Sequence, residues 1–159
     1  TNRRLISWMI AREYFEVPLL RRIYQRIGAV SVARARPTPD TLQGVLDRLR
    51  EGRVVGVFPE GGIHSPGQRA RPKRGAAMLA LETGATVVPA RLRGIQQLPG
   101  PDIKTFLRPR RVRLRYGAPV PLDDLRQRYG TEADRAVLQE AADRILTAIH
   151  TLGEEPKAP

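Results

Sequence analysis

Apolar residues recur along this chain in two rhythms, near-continuous short runs and helical three-to-four spacing, and their alternation predicts the fold. Residues 5–11, Leu-Ile-Ser-Trp-Met-Ile-Ala, read as a short buried strand. Leu19, Leu20, Ile23, Tyr24 and Ile27 then fall at helical spacing within 17–27, and Gly28 ends that helix. A second short strand is predicted at 29–32, followed by an Arg-Pro turn at 34–39. Helix-start residues Thr38 to Thr41 precede Leu42, Val45, Leu46 and Leu49 on one face, and Glu51-Gly52 stops the helix. The run 54–58 lies between Gly52 and Pro59 and is continuously apolar, as expected of a strand buried on both faces.

The second half repeats the alternation less regularly. Residues 61–72 are rich in Gly, Pro and Arg and predict a long loop, a length that in a compact domain usually serves function. An Ala- and Leu-rich helix at 75–83 is closed by Gly84, and a β-branched strand follows at 86–92. Residues 96–111 show no period and read as a lid or connector, whereas 111–116 alternate basic and apolar residues like a half-exposed strand. Residues 122–149 are helical with a break near Gly130, and a frayed tail begins at Gly153. Strands alternating with helices predict an α/β class, a mainly parallel sheet flanked by helices on both faces. The expected organisation is one domain over 1–150 and a flexible tail over 151–159.

Composition narrows the function. The 159 residues are 41% hydrophobic and 28% charged, ordinary values for a globular domain with a buried core. Lys and Arg number 28 against 16 Asp and Glu, a net charge of +12 that attracts polyanions: nucleic acid, anionic lipid headgroups or phosphorylated small molecules. Genomic base composition is an alternative source of that arginine excess. With no cysteine, thiolate nucleophiles, disulfides and cysteine-based zinc sites are excluded, and two histidines, His64 and His150, make a histidine-rich metal centre a poor expectation. No run approaches the roughly 18 apolar residues of a membrane span.

The chemistry concentrates in Phe58-Pro59-Glu60-Gly61-Gly62 and Lys73-Arg74-Gly75-Ala76. A strand ending in Pro-Glu-Gly-Gly sets a carboxylate and two flexible backbone units at its carboxyl edge, where open α/β sheets bind ligands. Gly61 and Gly62 allow backbone N–H groups close to an anion. Lys73 and Arg74 precede a helix whose first N–H groups and dipole favour phosphate. These residues point to a phosphate-ester pocket, and the nucleotide P-loop spacing is absent. A solvated basic loop with Glu60 in an ordinary salt bridge is the competing interpretation.

In this order the segments resemble the lysophosphatidic acid acyltransferases and their glycerolipid acyltransferase relatives. Residues 16–20, Glu-Val-Pro-Leu-Leu, look like that family's helix entry, and 28–34, ending in Arg34, resemble its second motif, whose terminal Arg binds the acceptor phosphate. Phe58-Pro59-Glu60-Gly61 is similar to the third motif, and Val87-Val88-Pro89-Ala90 looks like the fourth, with Pro89 near the acyl pocket. The resemblance covers about residues 5–125. It implies acyl transfer from acyl-CoA or acyl-carrier protein to a lysophospholipid such as 1-acylglycerol-3-phosphate, in phospholipid biosynthesis. It further implies acceptor binding by Arg34, Glu60, Gly61, Gly62, Lys73, Arg74 and Pro89, no metal and no tightly bound cofactor.

The departures are specific. The family's first motif, His-x-x-x-x-Asp, has His as general base and Asp orienting it, and no such spacing occurs here: Arg69 stands five positions after His64, and Glu155 five after His150. The resemblance puts the missing pair before Thr1, so the chain is expected to be an N-terminally truncated domain, inactive alone. Ala33 stands where the family commonly has Asp, and Gly62-Ile63 replaces a Thr-Arg pair. Expected partners are the lysophospholipid, the acyl thioester and an anionic membrane surface, met peripherally on its cytoplasmic face or through a missing N-terminal anchor, with Arg-rich loops, Trp8 and Phe106 suited to docking. A non-catalytic lipid-phosphate-binding domain is the alternative within the family. A nucleic-acid-binding domain is the alternative outside it, opposed by an aromatic content of 5%.

Overall fold

The computed structural model describes residues 6–16, 18–32, 39–61, 71–93, 112–130 and 134–152. Three short strands, β1 (Ile6–Ala11), β2 (Val30–Val32) and β3 (Val54–Gly56), pair in parallel in the order β2-β1-β3. Met9 lies opposite Val30 on one side of β1, and Ile6 and Trp8 lie opposite Val54 and Gly56 on the other. The parallel α/β arrangement expected from the sequence is therefore present.

The connections explain why the strands are parallel. Between β1 and β2 run a 3-10 helix (Arg12–Glu16), which the sequence did not suggest, and α1 (Pro18–Arg26). Phe15 packs on Tyr24 with ring centroids 5.2 Å apart, joining the two. Between β2 and β3 runs α2 (Pro39–Arg50). Both helices end in the same way. Ala29 N–H donates to the Tyr24 carbonyl and Gly28 N–H to Gln25, while Arg53 N–H donates to Arg48 and Gly52 N–H to Leu49. Gly28 and Gly52 sit at φ +68° and +74°, the left-handed geometry of a Schellman termination, which turns each helix back into the next strand.

α3 (Gly75–Thr83) is the structural centre of the chain. One side buries Leu79 with Val45 and Leu46 of α2, against Met9, Val30 and Val55 of the sheet. The other buries Ala77, Ala80 and Leu81 with Leu125, Val137 and Ile145 of two further helices, α4 (Asp123–Arg128) and α5 (Asp134–Thr151), and with Leu122 just before α4. A helix covered on both sides has no polar face, which is why its sequence is Ala- and Leu-rich throughout. Leu125 and Val137 are fully buried, each contributing about 1.5–3 kcal/mol of transfer free energy. The break near Gly130 is present, with φ +84° at that glycine.

An ion-pair cluster latches α4 to α5. Arg144 donates to both Asp124 carboxylate oxygens at 2.8 and 2.7 Å and to Glu140 at 2.7 Å, and Arg128 reaches Glu140 at 3.1 Å. The hydrogen bond from Arg144 holds the Asp124 carboxyl below its ordinary pKa. Arg144 and then Arg128 do the same for Glu140.

Three strand expectations need correction. β3 stops at Gly56 rather than reaching residue 58, and as an edge strand it is not buried on both faces: Val54 is 38% and Phe58 59% exposed. β4 (Ala90–Arg93) begins after residue 86, because Val87 and Pro89 instead accept isolated hydrogen bonds from Val120 and Gly117, both 2.9 Å. β5 (Arg113–Tyr116) pairs with β4 antiparallel, in a two-stranded ribbon separate from the parallel sheet, and all four of its residues are exposed. Its alternation sorts side chains onto two faces, but two strands offer no layer to bury either. The connector at 96–111 and the tail from residue 153 lie outside the described residues.

Candidate phosphate-ester site at the edge of the parallel sheet

In the order β2-β1-β3, the chain leaves β1 for one side and then crosses to the other, so β1 and β3 flank a topological switch point. Open α/β sheets bind ligands just beyond the carboxyl ends of such strands. The sequence segment singled out for its chemistry emerges there, directly after β3.

Its geometry is fixed by two main-chain hydrogen bonds. Gly61 N–H donates to the Phe58 carbonyl at 3.0 Å, closing a turn with Pro59 and Glu60 at its centre. Lys73 N–H donates to the Pro59 carbonyl at 2.7 Å, so the residue before Arg74 is fastened to the turn. Gly61 has φ +69°, and a Cβ there would meet Lys73 Cγ at 2.7 Å. Backbone angle and close approach thus both require glycine, and the Lys73 stem lies over the Gly61 backbone.

Arg74 occupies the N-cap position of α3 in helical geometry, makes no side-chain cap, and accepts the first helical bond from Met78 N–H at 2.9 Å. No acidic residue stands in the first turn. The leading N–H groups of α3 therefore receive no cap from the Arg74 side chain and no carboxylate from the helix's own first turn, and the exposed Lys73 and Arg74 add cations to the positive end of the helix dipole. Glu60 is half-buried.

Glu60, Gly61, Lys73 and Arg74 are therefore brought together as the sequence suggested. Arg34, Gly62 and His64 lie outside the described residues. Pro89 is buried before β4, in contact with Gly117. His150 is exposed near the end of α5, where its carbonyl accepts from Arg91. Among the described residues no group of three His, Asp or Glu side chains could hold a metal ion, and no helix is long and apolar enough to cross a membrane.

Trp8, which the sequence suggests only for membrane docking together with Phe106 (outside the described residues), supports the site from within the fold. Trp8 lies opposite Gly56 in the β1–β3 register, and a Cβ on Gly56 would fall 2.4 Å from Trp8 Cε3. The indole also stacks on Phe58, with ring centroids 5.8 Å apart. Trp8 thus supports the strand end from which the turn springs. The available signal was Gly56 itself, since a glycine inside an apolar strand marks close approach by another group.

The chain is similar to known proteins in sequence and in fold. The chain is 33% identical over 89 residues to the 1-acyl-sn-glycerol-3-phosphate acyltransferase of Bacillus subtilis, covering 56% of this chain and 44% of that protein. It is 28% identical over 133 residues to the chloroplastic 1-acyl-sn-glycerol-3-phosphate acyltransferase LPAT1 of Arabidopsis thaliana, covering 82% and 35% respectively. The chain thus spans less than half the length of these curated relatives. In fold it is similar to the crystal structure of the 1-acyl-sn-glycerophosphate acyltransferase PlsC from Thermotoga maritima, with a TM-score of 0.60 and 18% identity over 96% of this chain and 58% of that one. A family model described as Acyltransferase matches residues 1–93, which include both β3 and the start of α3, and the chain belongs to that family.

Proposed function

We propose that this chain forms the acceptor-binding part of an enzyme that moves a fatty acyl group from a thioester, acyl-CoA or acyl-carrier protein, to a lysophospholipid such as 1-acylglycerol-3-phosphate, in phospholipid biosynthesis. The observation that carries the reading is the turn at 58–61 fastened to the start of α3, which sets a carboxylate, two cations and helix N–H groups that the Arg74 side chain does not cap at one sheet edge. Lys73, Arg74 and the helix start hold the acceptor phosphate, joined by Arg34, while Glu60 positions the glycerol hydroxyl. Gly61 and Gly62 keep side chains out of the phosphate's path, and Pro89 borders the acyl chain. The names of the similar proteins support a lysophosphatidate acceptor.

In the transfer itself the acceptor oxygen forms an ester bond to the thioester carbonyl carbon, the C–S bond breaks, and the proton taken from the hydroxyl ends on the departing thiol. That proton needs a base, and this sequence contains no His-x-x-x-x-Asp. The chain therefore binds the acceptor without turning it over by itself, and the reaction draws on no metal or tightly bound cofactor. It acts at the cytoplasmic face of a membrane, met peripherally or through an N-terminal anchor.

Calorimetry with a short-chain lysophosphatidic acid tests the reading. Hydrogen bonds to a charged group contribute about 1.5–3 kcal/mol, so Lys73→Ala and Arg74→Ala should each weaken binding about tenfold or more. Equal affinity for the matching monoacylglycerol, which lacks the phosphate, would refute it. Acyl transfer by this chain that disappears on His64→Ala would instead replace the inactive-alone reading with a different base.

A further inference from the structure

The β4–β5 ribbon is built from residues other than the turn at 58–61 and the start of α3, and its register gives it two unlike faces. Arg91 lies opposite Arg115 and Arg93 opposite Arg113, so four arginines share one face. Ala90 lies opposite Tyr116 and Leu92 opposite Leu114 on the other. The strands Ala90–Arg93 and Arg113–Tyr116 contain no acidic residue. Like charges directly opposed across a strand pair destabilise it, and a two-stranded ribbon is marginal to begin with. Arg91 is compensated by the end of α5, where it donates to the carbonyls of His150 at 2.8 Å and Ile149 at 3.5 Å. Arg113 and Arg115 project from exposed positions.

The apolar face is equally unusual. Leu92 is 41%, Leu114 46% and Tyr116 63% exposed, a contiguous patch on a ribbon that carries the opposite character on its other side. A soluble polyanion would use only the arginine face. An anionic lipid surface uses both. The apolar face enters the boundary between headgroups and acyl chains, as the apolar face of an interfacial amphipathic helix does. The long stems of the exposed Arg113 and Arg115 can snorkel past the ribbon's edge to bring their guanidinium groups to the lipid phosphates.

We propose that the β4–β5 ribbon is the surface by which this chain docks on an anionic membrane. The proposal deepens the reading of a lipid acceptor and rests on it. It identifies a part of the chain, separate from Glu60, Lys73 and Arg74, that keeps the protein at the surface where such an acceptor resides.

Sedimentation of the full chain with vesicles tests it, comparing equimolar phosphatidylglycerol and phosphatidylcholine with phosphatidylcholine alone. The wild type should bind the anionic vesicles and lose most of that binding in high salt. Arg113→Gln/Arg115→Gln should lower partitioning about 30-fold at low salt, from about fivefold per cation near such a surface, and Arg113→Lys/Arg115→Lys should retain it. Leu92→Ser/Leu114→Ser should remove the salt-resistant remainder, with circular dichroism confirming that each variant is folded. None of these changes should alter calorimetric binding of soluble short-chain lysophosphatidic acid, so failure of the acceptor site and failure of the docking surface give different results. Wild-type vesicle binding by both the Gln and the Ser variants would overturn the proposal. So would selective loss of binding to a single-stranded oligonucleotide in the Gln variant with vesicle binding intact.

Discussion

Replacing Gly61 by alanine probes the site at its tightest point. Two costs arise separately. The backbone at φ +69° is a region where a residue with a Cβ pays about 1–2 kcal/mol. The new methyl would also meet Lys73 Cγ at 2.7 Å and Cε at 3.2 Å, so the lysine stem must swing away, at about 1 kcal/mol for a displaced rotamer. A total near 2–3 kcal/mol is expected, or roughly 6–9 °C in Tm for a chain of this size. Urea unfolding of Gly61→Ala, Lys73→Ala and the double variant separates the two costs. Lys73→Ala removes the three atoms nearest the methyl, so the double variant should be more stable than the sum of the singles by at least about 0.5 kcal/mol. In calorimetry, Gly61→Ala should lose as much lysophosphatidate affinity as Lys73→Ala, because the displaced stem carries the ammonium away from the turn. Additive energies, or a Gly61→Ala cost below about 0.5 kcal/mol, would show that the lysine does not lie over the glycine.

Two other outcomes follow from the packing and the ion pairs. Gly56→Ala places a Cβ 2.4 Å from a rigid indole and should destabilise by about 1–3 kcal/mol, and Trp8→Leu in the same chain should recover part of that loss in thermal melts. Asp124 and Glu140 have folded-state pKa values below their unfolded ones, so their contribution is present above about pH 4–5 and is lost as pH falls through the lowered values. Asp124→Asn/Glu140→Gln should therefore flatten the acid limb of a stability–pH curve while leaving its slope above pH 6 unchanged; an unchanged acid limb would mean the Arg144 cluster does not contribute.

Local chemistry made much of the fold legible in the sequence. The stops at Gly28, Gly52 and Gly84 are visible because a left-handed terminus favours one residue type, and the bounds of α3 follow from an apolar run between Lys73-Arg74 and Gly84. What escaped depends on partners distant in sequence. β3 is cut short where Trp8 crosses Gly56, which a reading of 54–58 alone does not reveal. β5 was read as half-exposed from its alternation, but alternation records two different faces and not which of them is covered. At the site, residue types identified Glu60, Gly61, Lys73 and Arg74, whereas the bond that joins them, Lys73 N–H to Pro59, is a tertiary contact across residues 61–72.

That bond has an evolutionary corollary. It is made by the main chain, so its formation does not depend on which side chains occupy positions 62–70, and the entropy of closing a loop rises only slowly with its length. Insertions and substitutions between the two anchor points can then be accepted without undoing the turn that the bond holds. Sequence and length in that stretch are free to drift while the sheet edge keeps its shape.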